Sequence, residues 1–166
     1  MNTGPPERRL ALVIDPDRGS RRSNRKLLGN IGFDVVQAPN GLVGLELIQR
    51  LPETFQLVLT DLDLPGIPGA VVMETLWLFR PDLPVLCMAS TAGVSALPVH
   101  CLGKPLDSDV LHAQVRAALA GEWSRWDNVA SDTEDTVLRA RARYAEGRNL
   151  VAAALELARR YGADNA

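Results

Sequence analysis

The sequence predicts an α/β protein built on a doubly wound, five-stranded parallel sheet with helices on both faces. Three observations carry that expectation. Between residues 9 and 120, apolar runs and amphipathic stretches alternate five times. The runs are continuous rather than alternating, as in strands buried on both faces. Proline, glycine or aspartate follows most of them, which is the chemistry of strand ends and turns.

The elements can be justified in order. Leu10 to Ile14 is an unbroken apolar run stopped by Asp15-Pro16-Asp17, so it reads as a buried strand ended by a proline turn. Ser20 to Asn30 sets charges on one face and Leu27 and Leu28 on the other, giving a helix that Gly29 and Gly32 help to close. Phe33 to Ala38 alternates enough for a second strand. Gly41 to Leu51 has apolar residues at 42, 45, 47, 48 and 51, near helical spacing, with Pro52 after its end. Leu57 to Thr60 is the third strand, followed by Asp61, Asp63, Pro65 and Gly66. Ala70 to Phe79 is a third helix, broken by Arg80-Pro81-Asp82. Val85 to Ala89 is a fourth strand, Val99 to Leu102 a short fifth, and Asp107 to Leu119 an amphipathic helix capped by Asp107 or Ser108.

This organisation places one domain at residues 9–120. Residues 121–166 form a connector, with Trp123 and Trp126, and an α-helical C-terminal extension that breaks at Gly147-Arg148-Asn149. Val137, Leu138, Tyr144, Leu150, Val151, Leu155, Leu157 and Ala158 draw apolar stripes along the extension. Those stripes can pack on the first domain, on a second copy or on another protein.

The bulk numbers exclude several classes. Of 166 residues, 46% are hydrophobic and 23% charged, and the net charge is −2, so no overall basic field attracts nucleic acid or anionic membrane. The arginines of the tail are interleaved with acids, and no convincing recognition helix follows Gly162, so nucleic-acid binding is not expected. Met1 to Arg9 is polar and has no apolar core of a signal peptide, and no apolar run approaches the ~20 residues of a membrane span. Cys87 and Cys101 lie in apolar runs without metal-ligand spacing and read as buried free thiols. Together these features predict a cytoplasmic protein with no membrane partner. His100 and His112 have no ligand spacing, and no histidine pairs by motif with Ser90 or Thr91.

The chemistry gathers at strand ends. In a doubly wound parallel sheet, side chains at the carboxyl ends of neighbouring central strands converge. Here those ends carry Asp15 and Asp17, Asp61 and Asp63, and Lys104. Clustered carboxylates call for a cation, and hard oxygen donors suit Mg²⁺. A lysine beside them can hold a transferred anion as a point charge. An aspartate so surrounded can act as a nucleophile toward a phosphoryl group.

With these residues in place, the chain resembles a receiver domain, the phosphoacceptor module of two-component response regulators, over residues 9–120. The carrying motifs are "ALVIDPD" with Arg21-Arg22 following, "VLTDLDLPGIPG" and "GKPLDSDVL". The resemblance implies that Asp61 takes the phosphoryl group and that Lys104 contacts its oxygens. It implies that Asp15 helps to place Mg²⁺, that Asp63 lends the metal its backbone carbonyl, and that Pro65 and Gly69 shape the loop after strand three. It also implies a histidine kinase or phosphotransfer protein as donor and a downstream protein target, with a homodimer as an option.

Four departures from the pattern stand out. Pro16 occupies the place of the second metal-binding acid, for which Asp17 is the nearest substitute. Ala89 falls where the family has a Ser or Thr, and Ser90, one residue on, supplies the nearest hydroxyl for the phosphoryl group. Cys101 replaces the family's switch aromatic. Residues 90–103 are too few for a full helix, a strand and their turns, so a shortened or missing fourth helix is expected. The expected function is that of a bacterial phosphoacceptor signalling protein rather than an enzyme. The competing readings are a degenerate receiver acting as a phosphorylation-independent interaction module and, behind it, a DNA-binding regulator using the C-terminal helices.

Overall fold

The apolar runs of the sequence become the strands of one sheet. The computed structural model describes residues 7–90, 101–122 and 134–163. In chain order the elements are β1 (Arg9–Ile14), α1 (Arg18–Asn30), β2 (Phe33–Ala38), α2 (Gly41–Arg50), β3 (Leu57–Asp61), α3 (Gly69–Phe79), β4 (Val85–Ser90), β5 (Cys101–Lys104), α4 (Ser108–Leu119), α5 (Glu134–Ala145) and α6 (Leu150–Ala163). The strands are parallel and ordered β2-β1-β3-β4-β5. This is the expected doubly wound sheet, and its strand order reverses between β1 and β3.

Alternation along each strand divides the core. Leu12, Ile14, Val58, Val85 and Cys87 face one way and pack with α2 and α3. Ala11, Val13, Leu57, Leu59, Leu86 and Met88 face the other way and pack with Leu28 of α1 and Leu111 and Val115 of α4. The period-2 geometry of a strand permits both faces to be apolar only when each is covered, which is why the runs read as continuous.

The C-terminal extension forms two helices with the break where glycine and asparagine predict it. Asn149 accepts a hydrogen bond from the Ala152 amide (3.0 Å) and so caps α6. The pair docks on the outer side of α2 and α3. Leu150, Ala153, Ala154 and Leu157 are buried in the same apolar cluster as α2 and α3, Tyr144 stacks on Phe79 with ring centroids 4.4 Å apart, and the Leu150 amide donates to Gln49 Oε1 (2.7 Å). Of the three surfaces the apolar stripes allowed, the extension uses that of the first domain.

One expectation is overturned. Cys87 and Cys101 are not free thiols: they are joined in a disulfide, with Cα atoms 4.7 Å apart. They are register partners on β4 and β5, so both side chains leave the same face of the sheet at the same rung. Sequence spacing does not reveal that register. The expected shortening of the fourth helix, and Trp123 and Trp126 of the connector, lie outside the described residues.

Candidate functional site

The turn after β1 is built from its own aspartates. Asp15 continues β1 through its amide, which donates to the Ala38 carbonyl (3.1 Å). Its carboxylate is fully buried. Oδ1 accepts from the Asp17 amide (2.8 Å), and Oδ2 accepts from the Ser20 hydroxyl (2.5 Å). Asp17 is the N-cap of α1 and accepts from the Ser20 amide (2.6 Å), which explains why the helix begins at Arg18 rather than Ser20. Arg21 reaches back to donate to the Asp15 and Pro16 carbonyls at 2.7 and 3.1 Å. Ser20 and Arg21 thus hold the turn. No local pattern signals Ser20: the Asp17 cap takes its backbone amide, which most residue types offer, while its hydroxyl turns separately to Asp15.

At the end of β3, Asp61 is buried and its Oδ1 accepts from the Asp63 amide (3.0 Å). The loop that follows turns through Gly66 at φ +78, a conformation that side chains resist. It then returns so closely that a Cβ on Gly69 would overlap the Asp61 carbonyl oxygen and lie 2.6 Å from the Leu62 Cα. Glycine at 69 is therefore a packing requirement of the acidic turn. The Asp63 side chain is exposed.

β5 delivers the cation. Lys104 Nζ makes an ion pair with Asp15 Oδ2 (2.9 Å) and hydrogen-bonds to Asp61 Oδ2. Its side chain is 23% exposed, against 0% and 6% for the two carboxylates, so the lysine is the most solvent-accessible member of the trio. Burial pulls the Lys104 ammonium down, but hydrogen bonds to Asp61 and Asp15 and the charge of both outweigh it, holding the group above its ordinary value near 10.5. Ser90 is exposed at the end of β4 as the register partner of Lys104, while Ala89 is buried. A groove of about 720 Å³ opens beside the pocket between α1 and the Lys104-Pro105-Leu106 turn, with Lys26 on its rim.

The structure thus brings Asp15, Asp61 and Lys104 to one point at the switch between β1 and β3, where open α/β sheets bind ligands. Two carboxylates meet one ammonium there, which leaves a surplus negative charge and hard oxygen donors, a combination that fits Mg²⁺ in kind. The donor set is short by one acid, because Pro16 has no ligating group and Asp17 is engaged in capping α1. Among the described residues, no group of three or more His, Cys, Asp and Glu side chains is placed to hold a metal ion. No helix of the described residues is long and apolar enough to cross a membrane.

A family model described as the response regulator receiver domain matches residues 11–116. The chain is 32% identical over 116 residues to the transcriptional regulatory protein ZraR of Klebsiella oxytoca, covering 66% of this chain and 26% of that protein. It is also 32% identical over 116 residues to the response regulator MprA of Mycobacterium leprae, covering 65% of this chain and 50% of that one. Among solved structures, a response regulator receiver domain protein from Clostridium thermocellum superposes with a TM-score of 0.63 at 19% identity. That match covers 69% of this chain and 96% of the other. The parallel sheet with its acidic, lysine-closed pocket is that of a signalling module rather than of a generic layered fold. The chain belongs to the response regulator receiver domain family, the receiving element of two-component systems. It spans between about a quarter and about half of the length of these curated relatives. Receiver domains in general bind Mg²⁺ at their phosphorylation site and interact with histidine kinases or phosphotransfer proteins.

Proposed function

We propose that Asp61 accepts a phosphoryl group from a histidine kinase or a related phosphodonor, and that the chain signals through protein contacts. The observation that supports this most is the single ammonium of Lys104 joined to both Asp15 and Asp61. In the transfer, an Asp61 carboxylate oxygen bonds to phosphorus as the P–N bond of a phosphohistidine breaks, and the departing imidazole takes up a proton. The product is an acyl phosphate. Lys104 turns from Asp61 to the new phosphoryl oxygens, which carry more charge than the carboxylate it leaves. The Ser90 hydroxyl, at the lip of β4 and in register with Lys104, is the candidate to hydrogen-bond the same oxygens. Asp15 and Asp61, with the backbone at Asp63, would hold Mg²⁺, which supplies charge neutralisation for the transferring group. Asp17 is a weaker ligand candidate because of its cap.

Within this reading, residues 9–120 are the receiver and residues 121–166 the extension. The domain takes and releases a phosphoryl group without turning over another substrate, and it works in the cytoplasm. In this reading the donor docks along the groove between α1 and the Lys104-Pro105 turn, whose lining includes Lys104, the partner of Asp61. The test is to incubate the protein with Mg²⁺ and phosphoramidate and to weigh it intact. Wild type should gain one phosphoryl group and Asp61→Asn none. An unlabelled wild type, or equal labelling of Asp61→Asn, would replace phosphoacceptance with a phosphorylation-independent interaction role. Titration of Mg²⁺ followed by amide NMR at Asp15 and Asp61 tests the metal separately.

A further inference from the structure

The disulfide lies three residues from the lysine that closes the pocket, in the strand that carries it. Among the described residues, β5 has four residues and pairs with β4 alone, at the edge of the sheet. Such a strand is held by few ladder bonds, and its end is the first to fray. Yet its last residue, Lys104, must keep an ammonium between two buried carboxylates. Cys101 begins β5, faces Cys87 across one rung of the ladder, and is 4.7 Å from it at Cα, within the range a disulfide spans. They are the chain's two cysteines, so neither has a competing intramolecular partner.

We propose that Cys87 and Cys101 form a thiol–disulfide couple that sets how firmly β5 holds Lys104 in the carboxylate pocket. The inference rests on the Lys104 geometry and not on phosphoryl transfer itself. Oxidation uses a small disulfide such as glutathione disulfide. Cys101, 9% exposed against 1% for Cys87, meets it first. The Cys101 thiolate attacks one sulfur of the reagent and releases one glutathione thiolate. The Cys87 thiolate then attacks the Cys101 sulfur and releases the second. Two electrons and two protons pass from the cysteines to two glutathione molecules. The bond ties β5 to β4 at its start and closes the intervening chain into a loop. Reduction leaves β5 to its few ladder bonds, and Lys104 spends more time in water.

The experiment uses the full chain, equilibrated either with glutathione disulfide or with dithiothreitol. Alkylation after denaturation, read by mass, should add two groups to the reduced protein and none to the oxidised one. The oxidised form should melt about 6–12 °C higher, as expected for closing a loop of this length in a chain of this size. The chain's two lysines provide the positional readout. Brief acetylation with an N-hydroxysuccinimide ester, read by peptide mass, should modify exposed Lys26 equally in both forms, while Lys104 is modified several-fold faster after reduction. The variant Cys87→Ala/Cys101→Ala should show the fast Lys104 reaction with or without oxidant. If it does not fold, chemical reduction of wild type carries the comparison. Two free thiols persisting in excess oxidant, or one Lys104-to-Lys26 ratio in both redox states, would overturn the proposal. A failure of Asp61 to take a phosphoryl group would leave these readouts unchanged, so the two ideas fail separately.

Discussion

Replacing Lys104 by methionine removes the cation that two buried carboxylates share while keeping most of its stem. Asp15 is 0% exposed and Asp61 4%, so neither charge is well solvated once the ammonium is gone. Removing one partner of a fully buried pair costs about 3–5 kcal/mol. The lysine side chain is 23% exposed, which lets water reach the orphaned oxygens and reduces the expected loss to about 2–3 kcal/mol. For a chain of this size that corresponds to a fall of about 4–12 °C in melting temperature. The pH dependence has a definite sign. The Lys104 ammonium is held above its ordinary value near 10.5, so its stabilisation is complete below that value and is lost as pH rises through the higher folded one. The gap between wild type and Lys104→Met should therefore be flat from neutrality to about pH 10 and close beyond it. Urea unfolding followed by circular dichroism across that range measures it. A neutral-pH gap under about 0.5 kcal/mol, typical of a solvent-exposed pair, or one that closes well below pH 10, would refute the reasoning.

Other perturbations test the remaining parts. Gly69→Ala drives a Cβ into the Asp61 carbonyl and toward the Leu62 Cα, so urea unfolding should show a loss of about 1–3 kcal/mol, with slower phosphodonor labelling of Asp61. Asp17→Ala removes the α1 cap and should cost about 1 kcal/mol in the same assay, while Mg²⁺ affinity by NMR titration stays as in wild type. A clear drop in affinity would instead make Asp17 a ligand. Leu157→Ala empties a fully buried position between α6 and the helices beneath it. Calorimetry should register about 2–5 kcal/mol of destabilisation, and a negligible change would mean that the extension is not part of the core.

The sequence exposed most of what it states locally. Continuous apolar runs name buried parallel strands because both faces must be covered, and the ends of those runs name Asp15, Asp61 and Lys104. Helix limits were less legible at α1, where Asp17 looked like a pocket acid and also proves to be a cap. Its short side chain can serve either purpose, and only the backbone direction after Pro16 decides. The role of Ser20 was hidden for the same reason: a hydroxyl in a charged helix face carries no sign that it points back to a buried carboxylate.

By itself, then, the order of residues determined the alternating strands and helices, the acids and lysine at the strand ends, and the break that divides the C-terminal helices. These follow from period, turn chemistry and charge, which act within a few residues. Only the tertiary structure decided that Cys87 meets Cys101, that the extension covers α2 and α3, and that one ammonium serves two carboxylates. Each of those depends on strand register and on distances between residues far apart in the chain. Packing of the whole core sets those quantities, and no local pattern encodes them.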